Sequence, residues 1–276
     1  MAMNVTDVTE THPQLVTAKF LTVGTAPHTR RLAFRQRAGA SSIQAPGVVW
    51  LGGFKSDMLS TKAERIDAWA ARNGRAFLRF DYSGHGESEG RFEDGTIGQW
   101  LEDSLAVIRQ LTNGPQILVG SSMGGWISLL VAKAFAESGE TGRLAGLVLI
   151  APAVDFTEAL MWRNMPEAAR HDIVEKGVWL RQSEYAPDPY PVTKALIEDG
   201  RRHLLFGQPI RSHGPVHILQ GMQDPDVPWA HAMQLVEHLA GDPVAVTLIK
   251  DGDHRLSRDE DIARLLAAIE GMTPSN

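Results

Sequence analysis

The chain has 276 residues, enough for one large α/β domain or two small ones, and its 43% hydrophobic and 22% charged residues are ordinary for a soluble globular protein. A formal net charge of -6 argues against nucleic acid or an anionic membrane as an electrostatic partner. Because the chain has no cysteine, disulfides, thiolate metal sites and a cysteine nucleophile are excluded together.

The N-terminal segment is where a targeting signal would lie. Its first twenty residues include Asp7 and Glu10 but no arginine, and they have no continuous apolar stretch of signal-peptide length. No later segment approaches the roughly 18 apolar residues that a membrane-spanning helix requires. We therefore expect a cytoplasmic protein without a membrane span.

The first half of the chain alternates between strand-like and helix-like patterns. An N-terminal pair of strands alternates like an antiparallel edge hairpin, and short apolar runs typical of strands buried on both faces follow it. The predicted strands are 16–23, 30–37, 47–51, 75–82, 116–119 and 144–151, with helices at about 58–73, 96–111 and 126–137. Such alternation implies βαβ crossovers and a mostly parallel sheet with helices on both faces.

The pattern breaks between residues 153 and 214, where prolines and helical pieces occur but no strand candidate does. A segment of about sixty residues is too long for a bare loop, so we interpret it as a helical cap over one edge of the sheet. Alternation resumes with strand 216–220, helix 228–239, strand 244–249 and helix 259–272. The sequence thus predicts one domain over residues 1–276, with eight mostly parallel strands and a cap inserted at 153–214.

A Gly-x-Ser-x-Gly pattern, Gly120 to Gly124, joins the strand that begins at Gln116 to the helix that follows. Small residues on both sides of the serine let strand and helix approach closely around a strained turn. The turn lifts the Ser122 hydroxyl clear of the sheet and leaves the Met123 N–H at a helix N-terminus. The strand and helix context favours this interpretation over a chance loop, so we predict Ser122 as a nucleophile and Met123 as an oxyanion donor.

A serine hydroxyl needs a base to take its proton, and the base needs a carboxylate to orient it. On a strand–turn–helix scaffold of this kind the chain order is serine, acid, histidine. Among the downstream histidines only His254 lies in a loop between a late strand and the last helix, so it is the predicted base. Asp224, in a Gly-x-x-Asp-x-x-Val-Pro pattern, is the preferred acid. Asp226, which is placed to cap the turn or the next helix, and Asp155 are weaker candidates.

The second oxyanion donor is expected in the loop that follows the strand 47–51. Gly52 and Gly53 form a tight turn there, and the N–H of Phe54 is the predicted donor. His85 has no acid partner nearby in the sequence, so we interpret it as structural. Four large residues of the cap are interpreted mainly as cap core, with some also lining an acyl pocket. They are Met161, Trp162, Met165 and Trp179.

Several motifs carry a resemblance to a known family. They are Gly120–Trp126, Arg79–Gly84, Asp253–Arg255, Gln116–Val119 and Gly221–Trp229. Together they resemble the α/β-hydrolase superfamily and, within it, are similar to the mitochondrial palmitoyl-protein thioesterases, also described as acyl-glucuronide esterases. The resemblance runs from about residue 47 to the C-terminus and is weakest in the cap.

The resemblance implies the α/β-hydrolase fold and a serine esterase or thioesterase acting on acyl groups carried by oxygen or sulfur. It makes Ser122, Asp224 and His254 a catalytic triad. Two departures stand out: Gly52 replaces a histidine common at that position, which leaves the backbone donor intact, and the N-terminus lacks a recognisable mitochondrial presequence. We therefore expect a bacterial-type cytoplasmic relative, whose substrate is a small-molecule or acyl-protein ester or thioester.

Other functions on the same scaffold stay open at this stage. A serine aminopeptidase would need an acidic cap residue such as Glu167 or Glu184 for the substrate amino group, and a carbon–carbon bond hydrolase would need a polar pocket for an enol. A non-catalytic ligand-binding protein is the alternative from a different class. Acyl transfer by a serine hydrolase calls for no metal or organic cofactor, and the sequence leaves the oligomeric state open.

Overall fold

A computed structural model describes residues 17–26, 29–182 and 189–273. Its strands are β1 Lys19–Val23, β2 Arg30–Arg37, β3 Gly47–Leu51, β4 Phe77–Phe80, β5 Gln116–Ser121, β6 Leu144–Ile150, β7 Val178–Arg181, β8 Tyr190–Thr193, β9 Val216–Gly221 and β10 Val244–Ile249. Its α-helices are α1 Thr61–Arg72, α2 Ile97–Leu111, α3 Met123–Glu137, α4 Glu167–Lys176, α5 Lys194–Gly200, α6 Trp229–His238 and α7 Asp259–Gly271.

Eight strands form one sheet in the order β1-β2-β4-β3-β5-β6-β9-β10. The first two pair antiparallel, with Lys19 opposite Phe34 and Val23 opposite Arg30, and β2 is also antiparallel to β4. The other neighbouring pairs in this sheet are parallel. The predicted fold class, a mostly parallel eight-stranded sheet with an antiparallel edge hairpin, is confirmed, although Val16 and Pro27 of the predicted hairpin lie outside the described residues.

The central strands are buried on both faces because helices cover each side. Alternate residues of β3 belong to two separate core clusters: Val49 and Leu51 to one, Val48 and Trp50 to the other. Helices α2, α3 and α6 contribute to the first cluster, and α1 and α7 to the second. A strand covered in this way is apolar throughout, which is the pattern that the sequence showed.

The segment 153–214 contains helices and also one small sheet. Strands β7 and β8 pair antiparallel, with Val178 opposite Thr193 and Arg181 opposite Tyr190. The prediction that this segment has no strand is therefore wrong. The two strands have only four residues each and one includes Pro191, so neither produces a recognisable alternation.

The four large residues of the segment 153–214 pack on the core of the domain. Met161 and Met165 are buried within the first core cluster, and Trp162 and Trp179 are half-buried against it. In the part of the chain that the structure describes, the longest helices, α2 and α3, have 15 residues each, and none is long and apolar enough to span a bilayer.

Candidate active site

Ser122 occupies the turn between β5 and α3 in a strained conformation. Its φ of 53° lies in the left-handed region that a serine rarely adopts. The flanking glycines make the turn possible: a Cβ on Gly120 would lie 2.3 Å from the Gly124 carbonyl oxygen, and one on Gly124 would lie 2.1 Å from the Leu51 oxygen. The close approach that the Gly-x-Ser-x-Gly pattern predicted is present at both positions.

Backbone hydrogen bonds hold this turn against the neighbouring strand. The Ser122 N–H donates to the Ile150 carbonyl at 2.8 Å, and the Ser122 carbonyl accepts from the N–H groups of Gly125 and Ala153 at 2.9 and 3.1 Å. The strain is therefore supported by the surrounding structure, as is usual where an unfavourable backbone conformation serves a function.

His254 lies within hydrogen-bonding distance of both Ser122 and Asp224. His254 Nε2 is 3.2 Å from Ser122 Oγ, and His254 Nδ1 is 2.7 Å from Asp224 Oδ2. The Asp224 side chain is fully buried. Its Oδ1 accepts from the N–H groups of Asp226 and Val227, each at 2.9 Å, which fixes the carboxylate in the orientation that faces the imidazole.

The other two candidate acids have different partners. Asp226 Oδ1 lies 3.7 Å from the Arg181 guanidinium of β7, an ion pair between the cap and the loop after β9. Asp155 accepts hydrogen bonds from the N–H groups of Leu205 and Phe206 and thereby joins two parts of the cap segment. Burial raises the pKa of Asp155. Of the three candidates, the structure brings Asp224 to the histidine.

The sheet explains why these distant residues meet. Strands β5, β6, β9 and β10 are parallel neighbours, so their carboxyl ends share one edge of the sheet. Ser122 follows β5, Asp224 follows β9 and His254 follows β10. The last two loops touch closely, since a Cβ on Gly221 would lie 2.4 Å from the Gly252 oxygen.

The loop after β3 passes directly beside the serine turn. A Cβ on Gly53 would lie 3.5 Å from Ser122 Cβ and 3.4 Å from the Ser121 oxygen. Phe54 follows, and its ring packs on Phe92 with centroids 4.9 Å apart and on Tyr190 of the cap at 5.6 Å. The predicted donors, the N–H groups of Phe54 and Met123, belong to this loop and to the first residue of α3.

His85, in the turn after β4, contacts the loop after β3. Its Nε2 accepts the N–H of Lys55 at 3.1 Å, where Lys55 has a φ of 57°, and its Nδ1 lies 3.3 Å from the Ser83 carbonyl. Burial lowers the pKa of His85 to about 4, so the ring is neutral at pH 7 and can accept that bond. The contacts give His85 the structural role that its sequence context indicated.

Three residues that contact the loops of this site from other elements were not predicted from the sequence. Tyr190 and Arg181 lie on the undetected β7–β8 pair, and no local pattern marks them. Lys62 gives a weak signal, because it shares helical spacing with the apolar face of α1.

Within the described residues, Asp224, Asp226 and His254 are three potential metal ligands whose ligand atoms lie within 4.8 Å of one another. Two of these groups, His254 and Asp224, are hydrogen-bonded to each other at 2.7 Å. Glu167, considered for an aminopeptidase, is exposed in the first turn of α4, and Glu184 lies outside the described residues.

The chain matches known proteins over most of its length. A family model described as "Alpha/beta hydrolase family" matches residues 43–268. The chain is 36% identical over 247 residues to the palmitoyl-protein thioesterase ABHD10, mitochondrial, of Homo sapiens, covering 89% of this chain and 78% of the relative. The resemblance predicted from the motifs is confirmed at this level.

Solved structures show the same relationship. A putative hydrolase from Agrobacterium vitis S4 has a TM-score of 0.89 and 46% identity, covering 94% of this chain and 99% of that chain. The alpha/beta hydrolase domain-containing protein 10 from mouse has a TM-score of 0.79 and 32% identity, covering 92% of this chain and 98% of that one. The family model extends from before β3 into α7 and so includes every loop of the candidate site. The chain therefore belongs to the alpha/beta hydrolase family.

Proposed function

We propose that the chain is a serine hydrolase that cleaves carboxylic ester or thioester bonds through a Ser122–His254–Asp224 triad and an acyl-enzyme intermediate. The observation that carries this proposal is the histidine between a strained serine and a buried carboxylate, at 3.2 and 2.7 Å. That arrangement is the one that nucleophilic acyl transfer requires.

The proposed reaction has two halves. His254 Nε2 takes the proton of Ser122 as Oγ attacks the acyl carbon, and the resulting imidazolium is stabilised by Asp224. The imidazolium then protonates the departing alcohol or thiol, which leaves the acyl group on Ser122. Water, deprotonated by His254, attacks the acyl-enzyme and releases the carboxylic acid.

The N–H groups of Met123 and Phe54 hold the oxyanion in this proposal. Met123 is the first residue of α3, where the backbone N–H groups have no intrahelical partner and the helix dipole favours negative charge. Phe54 follows Gly53, where an added Cβ would lie 3.5 Å from Ser122 Cβ. Donors that are already in place stabilise the developing charge without reorganisation.

The relatives and the aromatic side chains around Phe54 support the proposed substrate class. Relatives at 36% identity are named palmitoyl-protein thioesterases. The Phe54 ring also contacts Phe156, with centroids 5.5 Å apart, so the loop beside Ser122 carries a cluster of aromatic side chains. An apolar acyl group on oxygen or sulfur suits such surroundings better than the charged amino group of a peptide.

The first experiment is labelling with a fluorophosphonate probe. Wild type should label, Ser122→Ala should not, and Ser121→Ala is the matched control that should label as wild type does. Turnover of p-nitrophenyl esters, acyl-thioesters and aminoacyl anilides then separates an esterase or thioesterase from an aminopeptidase. An unlabelled wild-type protein would contradict the proposal and favour the binding-protein alternative.

A cytoplasmic location is part of the proposal. The curated relatives are named mitochondrial. Fractionation of the source cells with an antibody against the chain would test it, and recovery in an organelle or membrane fraction would overturn it.

A further inference from the structure

Lys62 is a buried lysine on the face of α1 that packs into the second core cluster. The residue is 9% exposed, and Ile66 and Trp69 at helical spacing from it are buried apolar side chains of that cluster. Lysine is seldom buried, because moving an ammonium group out of water is costly. A lysine in this position therefore calls for a compensating role.

The partners of Lys62 lie in the loop that carries His254. Its Nζ donates to the carbonyl oxygen of Arg255, the residue directly after His254, and lies 3.5 Å from Ser257 Oγ. The next residue, Leu256, is buried with a φ of 44°, so the chain turns sharply there at a strained position. Lys62 thus contacts the loop between His254 and the strained turn at Leu256, although it lies 193 residues from Arg255 in the sequence.

We infer that Lys62 is a positioning residue: it ties the His254 loop to α1 and so keeps His254 Nε2 within hydrogen-bonding distance of Ser122 Oγ. The inference rests on the proposed function. The Arg255 carbonyl also accepts from Ser257 Oγ at 3.1 Å, but Ser257 belongs to the same loop and cannot anchor it to the body of the protein. That second bond also means that the carbonyl keeps a partner when Lys62 is replaced.

The charge of Lys62 gives this contact a pH dependence. Burial lowers its pKa to about 8, with Arg255 acting in the same direction and with Asp253 of the loop and Asp261 of α7 acting against it. Below that pH the bond to the carbonyl is charge-assisted, and such bonds are about twice as strong as neutral ones. Above it, the neutral amine holds the loop less firmly, so kcat should fall.

The decisive variant is Lys62→Met, which keeps the length and removes the charge. We expect kcat and the rate of fluorophosphonate labelling to fall by roughly 10- to 100-fold while KM stays nearly constant, because small misplacement of a catalytic group costs that much. The melting temperature should stay equal or rise, since replacing a buried charge by an apolar side chain is often neutral or stabilising. A residue with a merely structural role would instead lower the melting temperature.

The pH profile supplies a second measurement. Wild-type kcat should decline as the pH rises above about 8, the pKa of Lys62. The kcat of Lys62→Met should not show this decline. Lys62→Arg, which retains a charged donor, should recover part of the activity. The matched control is Arg65→Gln on the same helix, which breaks the exposed ion pair with Asp259 at 2.8 Å and should change kcat by less than about twofold.

Two sets of results would overturn the inference. A folded Lys62→Met with wild-type kcat, labelling rate and pH profile would overturn the inference while leaving the proposed function intact. If that variant does not fold, a wild-type kcat that is flat between pH 7 and 9.5, with Lys62→Arg fully active, would overturn it as well. Failure of the proposed function has a different signature: wild type itself would neither label nor turn over any of the substrates.

Discussion

Two carboxylates only two residues apart acquire different roles from their surroundings. Asp224 is fully buried, accepts two backbone N–H bonds and faces His254, whereas the side chain of Asp226 is 32% exposed and lies near Arg181. A buried carboxylate with fixed hydrogen bonds can orient an imidazole and stabilise its protonated form. A partly exposed one is screened by water and contributes less.

Asp224→Asn should therefore lower kcat by roughly a thousand- to ten-thousand-fold, because the amide cannot stabilise the imidazolium and favours the wrong tautomer. Steady-state turnover of a p-nitrophenyl ester measures the effect. Asp226→Asn is the matched control and should lower kcat by less than about tenfold. If the two variants exchanged these effects, Asp226 would be the acid.

At the scale of elements, the turn after β4 supports the loop after β3. Asp81 accepts from the N–H groups of Met58 at 2.7 Å and Glu87 at 2.9 Å, and His85 accepts from Lys55. Both titratable groups are buried, and burial shifts them in opposite directions: the pKa of Asp81 rises to about 6 and that of His85 falls to about 4. Their effects on stability therefore oppose each other in mildly acidic solution.

The pH dependence of the contribution that His85 makes to stability can be tested. Between its folded pKa of about 4 and the ordinary value of 6.5, the unfolded chain binds the proton more strongly, so the contribution of His85 to stability falls as the pH falls. Urea unfolding of wild type and His85→Gln at pH 7 and pH 5 should show the difference between them shrink by about 2 kcal/mol at pH 5. An equal difference at both pH values would mean that His85 is charged or exposed in the folded state.

At the scale of the whole molecule, the cap segment is fastened to the core by buried polar contacts as well as by apolar packing. Asp199 of α5 accepts from the N–H of Gly98 at 2.7 Å, at the start of α2, and pairs with Arg202 and His203. Burial alone would raise the pKa of Asp199, but the hydrogen bonds from His203, Gly98 and Arg202 hold it well below its usual range. The carboxylate is therefore charged where cap and core meet.

Asp199→Asn should lower the free energy of unfolding by about 1 to 3 kcal/mol, since it weakens a buried charged hydrogen bond to the Gly98 N–H. Hydrogen exchange should increase in α5 and in the first turn of α2, while the labelling rate of Ser122 stays near that of wild type. The measurement is urea unfolding combined with exchange mass spectrometry. Unchanged exchange in both helices would show that apolar packing alone holds the cap.

Local patterns in the sequence predicted most of the fold. The apolar runs of β3, β5, β6 and β9 are visible because helices cover both faces of these strands. The predicted element boundaries were less accurate: α1 begins at Thr61 rather than near 58, since the Met58 N–H is bonded to Asp81, and β4 spans Phe77–Phe80 rather than 75–82. The β7–β8 pair was missed because strands of four residues are too short to show alternating apolar and polar residues.

The sequence by itself determined most of the elements and the tight serine turn, because each depends on residues close together in the chain, and it gave the chain order of Ser122, Asp224 and His254. The catalytic role of these three residues stays a prediction that labelling will test. Only the tertiary structure decided which carboxylate faces His254, and only it revealed the contact between Lys62 and Arg255. Those features depend on the order of strands in the sheet and on contacts between residues far apart in the chain, which no local pattern encodes.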